Sequence, residues 1–128
     1  MDFEQALTAE LSIIAGLNEK IFPTIAQQDV VAPYLVYTLG KNERTQTLSG
    51  YDGLVKPEYQ VDIFHSTYAD LKALKKLVIQ SLKTFDQRVI GVSGPFIQDA
   101  TIMNDFETYE YSVLLHKGII EFNVSYIE

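Results

Sequence analysis

Apolar positions along the chain recur with two periods, and each change of period marks a new element. Phe3, Leu7, Leu11 and Ile14 return every three to four residues, which predicts a short amphipathic helix over Asp2–Ala15. Asp2 suits its N-cap, Glu4 the positive end of its dipole, and Gly16 its stop. After the polar connection Gln27-Gln28-Asp29, Pro33 opens a strand, Tyr34-Leu35-Val36-Tyr37-Thr38-Leu39, rich in aromatic and β-branched residues and ended by Gly40. A second strand runs from Pro57 to His65, with Tyr59, Val61 and Ile63 alternating against Gln60, Asp62 and Phe64. Between the two lies a polar stretch, residues 41 to 56, in which Gly50, Asp52 and Gly53 mark turns. It is expected to be a loop far longer than the usual hairpin connection of roughly 2–5 residues. Loops of that size are either disordered or functional.

Ser66 or Thr67 then caps a second helix from Tyr68 to about Phe85, whose buried stripe is Leu71, Leu74, Val78, Leu82 and Phe85. Lys72, Lys75, Lys76 and Lys83 fall off that stripe and read as a solvated face. Residues 87 to 94 form a turn region. Alternation resumes from Phe96 to Met103, reverses at Asn104-Asp105-Phe106-Glu107, and ends in strand material from Tyr109 to Tyr126. Lys117-Gly118 is either a bulge or a tight turn. Phe122, Val124 and Tyr126 face one side of that strand and Glu121, Asn123 and Ser125 the other. The order helix, hairpin, helix, hairpin predicts an α+β fold: an antiparallel β-sheet of four to five strands with two main helices packed on one face.

Length and composition narrow the chemistry. The 128 residues fit one domain, 1–128, and 47% hydrophobic residues suffice for a core. No apolar run approaches the roughly 18–20 residues that span a bilayer, and the acidic Met1-Asp2-Phe3-Glu4 start is unlike a signal peptide, so the chain is expected in a cytoplasm. The absence of cysteine removes disulfides, thiolate metal sites and thiol nucleophiles. A net charge of −7 opposes binding to nucleic acid or to an anionic membrane. No nucleophile elbow, phosphate-binding loop or dinucleotide turn occurs. His65 and His116 are lone histidines without a metal-ligand spacing, and the acids Asp99, Asp105, Glu107 and Glu110 lack the alternating oxygens of a calcium loop. The chain is therefore expected to have no catalytic set, no cofactor and no metal, and to work by binding other proteins. Eight tyrosines suit that role, although most belong in the core or sheet.

The run Ala32-Pro33-Tyr34-Leu35-Val36-Tyr37, then Leu48-Ser49-Gly50-Tyr51-Asp52-Gly53-Leu54, then Tyr59-Gln60-Val61-Asp62-Ile63-Phe64 with Thr67-Tyr68, resembles the phage tail-completion, or head–tail joining, family. The closing Glu121-Phe122-Asn123-Val124-Ser125-Tyr126 is similar to that family's last aromatic strand, without the tryptophan often found there. The resemblance spans nearly the whole chain. It implies a structural protein of a tailed bacteriophage or prophage, similar in role to tail terminators, which caps the tail tube and meets the head connector. The implied partners are the tail tube protein, the head connector or stopper protein, and further copies of the chain in a ring, a hexamer. The implied location is the virion at the tail–head interface, with the host cytoplasm as the place of assembly. An acidic ring repels DNA moving through its lumen, as a conduit requires. Arg44, Tyr51 and Asp52 in the 41–56 segment are the expected protein-interaction residues. The competing readings are a regulatory α+β module holding a ligand or peptide on its sheet, and a minor enzyme using His65 or His116.

Overall fold

The computed structural model describes residues 1–128, the side chain of Tyr51 excepted. The first helix, α1 (Phe3–Leu11), starts at a capping box. Asp2 accepts a hydrogen bond from the Gln5 backbone N–H at 2.8 Å, and the Gln5 side chain accepts one from the Asp2 N–H at 3.0 Å. Phe3, Ala6, Leu7 and Leu11 are its buried face. The helix stops at Leu11 and not at Ala15. The Ser12 hydroxyl donates to the Ala9 carbonyl, and single turns then carry the chain to the fully buried Leu17.

A short strand, β1 (Ile21–Pro23), lies parallel to β2 (Tyr34–Thr47), with Phe22 opposite Val36. The sheet is thus mixed and not purely antiparallel. The chain between β1 and β2 crosses over the sheet face, where Ala26, Val30 and Ala32 pack against Tyr34, Val36 and Phe64, and that crossing is what returns β2 in the same direction.

The largest departure concerns residues 41 to 56, which are not a loop. β2 and β3 (Gly50–His65) stay paired from Tyr34↔Phe64 out to Thr47↔Gly50, with two register shifts on the way, and only Leu48-Ser49 turn. On the β2 side the distal half of this ribbon is exposed almost throughout, so it lacks the apolar–polar alternation that betrays a half-buried strand, while on the β3 side Val55 stays buried. The ladder of backbone hydrogen bonds holds it instead.

Helix α2 (Tyr68–Lys83) is capped by Thr67, whose hydroxyl accepts from the Asp70 N–H at 3.2 Å. Leu71, Leu74, Val78 and Leu82 are buried, and Phe85 follows them into the core just beyond the helix. The expected turn region contains a small separate ribbon, β4 (Arg88–Val89) with β5 (Phe96–Ile97). β6 (Asp99–Glu110) does not reverse at residues 104–107. It bulges at Met103, between Ile102 and Asn104, and continues to a turn at Tyr111–Leu114. β7 (Leu115–Ile127) then runs back between β3 and β6, giving the order β1-β2-β3-β7-β6.

Lys117-Gly118 is neither bulge nor turn. It pairs in register with Phe64 and Ile63 on one side and with Thr108 and Glu107 on the other. Gly118 lies directly beneath α2, and a Cβ there would stand 3.2 Å from both Leu71 Cδ1 and Lys75 Cδ. Its small size sets how closely the helix approaches the sheet.

Both helices lie on one face, over a core built from Leu35, Val61, Ile63, Ile120, Phe122 and Val124. Phe3 stacks on Tyr126 at 5.4 Å and leans on Tyr59 at 5.2 Å. The Tyr59 hydroxyl donates to Glu4 Oε2 at 2.9 Å, tying α1 to the sheet. Burial, with the Glu4 carboxylate as acceptor, pushes the Tyr59 phenol far up, so it stays protonated at any physiological pH.

Candidate interaction site: hairpin arm and open sheet face

Two features stand outside the core, at opposite ends of the same strands. The first is the arm made by the distal halves of β2 and β3. β7 accompanies β3 only to Leu54↔Ile127, so beyond that point the arm is a two-stranded ribbon. Its root is clamped by a fork. Arg44 Nη1 and Nη2 donate to Glu128 Oε1 and Oε2 at 2.6 and 3.3 Å, and this holds the Glu128 carboxyl below its ordinary range. The Glu128 backbone N–H donates to the Gly53 carbonyl at 2.7 Å beside it. Asp52 accepts from the Thr45 hydroxyl across the ribbon and from the Leu54 N–H at 3.0 Å, and these two bonds depress its pKa. Arg44 and Asp52 are therefore brought to the same arm, each in a role that stiffens it. The side chain of Tyr51 lies outside the described residues.

The tip is a tight turn. The Thr47 hydroxyl donates to the Gly50 carbonyl at 3.0 Å and accepts from the Ser49 N–H at 3.3 Å. Leu48, at its apex, is fully exposed at 110% relative accessibility.

The second feature is the sheet face without helices. Tyr34 and Phe64, neighbours in register, stack at 4.7 Å and form with Val36 and Leu115 the floor of an open groove of about 610 Å³. One wall is the 24–30 crossover and the other is the β6–β7 turn around Val113. Asp62 and Glu110 sit on its margin, each 3.8 Å from Lys117 Nζ, which also lies 5.6 Å above the Phe64 ring. This groove escaped the sequence reading. Its signal was present in Tyr34-Leu35-Val36-Tyr37, four successive apolar residues, which mark a strand covered on both faces.

The remaining sequence candidates fall elsewhere. Lys75 is not solvated: it is 5% exposed and paired with Asp105 Oδ2 at 2.8 Å and Glu107 Oε2 at 3.0 Å. Lys72 holds the other oxygen of Glu107 at 2.8 Å. These two lysines depress the Glu107 pKa, Lys72 most, so half of the acidic cluster serves as counterions for α2. Asp99 stands apart at the start of β6, and Glu110 belongs to the groove margin.

His65 and His116 face each other across β3 and β7. His65 Nδ1 accepts from the Ser66 N–H at 2.9 Å, and the His116 ring packs edge-on against Tyr68 and Tyr109. Among the described residues, no three His, Asp or Glu side chains converge at metal-binding geometry. No helix is long and apolar enough to cross a membrane.

No protein-family model matches this chain, and no curated protein matches it in sequence. Solved structures do match its fold. One is a chain from the virion of a native gene transfer agent (GTA) particle, with a TM-score of 0.71 over 98% of this chain and 95% of that one, at 11% identity. The two chains share one architecture along their whole length.

Proposed function

We propose that this chain is a structural protein of a tailed bacteriophage or prophage that caps the tail tube and joins the tail to the head connector. The observation that carries the proposal is the end-to-end likeness of fold to a virion chain, with almost nothing left over on either side. A virion protein of this fold would meet its neighbours through its surfaces. The stiff, exposed arm is a surface of that kind, and the motif run Leu48–Leu54 sits on it. On this reading the chain works without catalysis. It is laid down as a ring, a hexamer, on the finished tail tube, and its acidic charge lines the DNA passage.

The test is replacement of Gln46–Tyr51 by a two-residue Asn-Gly turn in the encoding phage. Shortened arms should leave the fold in place and yield separate heads and tails by electron microscopy. Joined, infectious particles at normal yield would remove the arm from the proposal.

The open groove is the one observation that favours the alternative, a binding module holding a ligand or peptide on its sheet. Native mass spectrometry of protein purified from its host separates the two. A stoichiometric small molecule retained on the chain supports the module, and an empty chain supports the joint.

A further inference from the structure

We infer that the outer edge of β6 takes up an extended, acidic segment of another protein as an added strand, with the lysine row of α2 beside it as the opposite charge. The inference goes beyond the proposed role and does not depend on it, since it rests on one open edge and one helix face. β6 is the last strand of the sheet, and none of its residues is buried. The Ala100 N–H near its start is taken by Asp86 Oδ1 at 3.3 Å. Past the bulge at Met103, residues 104–110 pair with β7 on their inner side, and among the described residues nothing bonds their outward N–H and C=O groups. An edge of that length is a template for a further strand.

The charge beside the edge says what that strand carries. α2 runs along β6: Lys72 reaches Glu107, Lys75 reaches Asp105, and Asp86, just past the helix, reaches Ala100. Lys72, Lys76, Ile79 and Lys83 recur at helical spacing along one wall of the open groove between helix and strand, about 500 Å³. Glu107 and Asp105 match Lys72 and Lys75. Lys76 and Lys83 are exposed, and among the described residues no acid pairs with either. In a chain of net charge −7, uncompensated cations thus stand beside an unpaired strand edge. A strand added to β6 points alternate side chains at this wall, so acids there gain partners in Lys76 and Lys83. Its other side chains lie on the opposite face beside Phe106, which is 41% exposed, and an apolar residue there covers the ring. The occupant is therefore a segment in which acidic and apolar residues alternate.

The probe is a synthetic peptide, Thr-Glu-Val-Glu-Val-Glu-Val-Thr, titrated into the whole chain and followed by NMR. The backbone amides of residues 104–110 should shift on binding. Lys76→Gln combined with Lys83→Gln should weaken binding by about tenfold while the melting temperature stays unchanged, because both side chains are exposed. Two further peptides carry N-methyl groups on opposite edges of the strand, which removes one row of donors and leaves the charge alone. One of them should lose binding and the other keep it. Absence of binding, shifts confined to other surfaces, binding that survives the two lysine changes, or equal binding of the two methylated peptides overturns the inference. So does tighter binding of a double-stranded DNA oligonucleotide at the same lysines, which would make the row a phosphate site.

Discussion

Lys75 and Gly118 together set the distance between α2 and the sheet. The lysine is nearly buried and would carry an uncompensated charge without Asp105 and Glu107, while the glycine leaves room for the lysine's own methylenes. Gly118→Ala is expected to destabilise by about 1–2 kcal/mol, because Leu71 and Lys75 must give way. Gly40→Ala, where the nearest atom is the Glu58 carbonyl at 3.6 Å, should be close to neutral. Thermal denaturation of the pair measures the difference, and equal effects would refute the close approach. Glu107→Gln should cost about 1 kcal/mol at neutral pH, given that one of its two lysines is solvent-screened. The folded pKa of Glu107 is depressed, so its contribution is fully present above the ordinary value of 4.5 and fades as pH falls below it. The gap in melting temperature between wild type and Glu107→Gln should therefore narrow below about pH 4.5, and a constant gap down to pH 3 would contradict the pairing.

At the scale of elements, the arm decides most. Shortening it at Gln46–Tyr51 leaves the Arg44–Glu128 fork and the β3–β7 pairing up to Leu54 untouched. The shortened protein should therefore melt within a few degrees of wild type while losing assembly. A large drop in melting temperature would mean that the arm belongs to the core.

The arm also shows where sequence patterning stops being informative. Tyr59, Val61 and Ile63 alternate cleanly because one face of β3 is buried, and both helices were legible from Leu7–Leu11 and Leu71–Leu82 for the same reason. Residues 41 to 47 touch solvent on both sides, so nothing in their polarity records the pairing that holds them. The parallel β1 was equally hidden, since three residues carry too little period to read. Of the candidate site, Arg44 and Asp52 were visible as residues, but their bonds to Glu128 and Thr45 depend on register. The groove depends on tertiary crossing by residues 24–32, which no local pattern encodes.

As a whole, the molecule is a five-stranded sheet with helices on one face, the 24–32 crossover packed on the other, and a ribbon reaching beyond its end. The end-to-end match with a virion chain at 11% identity indicates that the architecture tolerates wholesale change of sequence, as expected when fold is held by patterning and size. Assembly on a template also fits the charge: at −7, free copies repel, and raising ionic strength should strengthen self-association measured by sedimentation. Self-association held mainly by attraction between opposite charges would instead weaken with salt.

The central claim is that the chain is a built-in part of the virion, located between tail and head. Cryo-electron microscopy of particles from the encoding phage or prophage tests it most directly. The proposed function predicts density for this fold as a ring between tail tube and head connector. Mature, joined particles without the chain at that junction would contradict it.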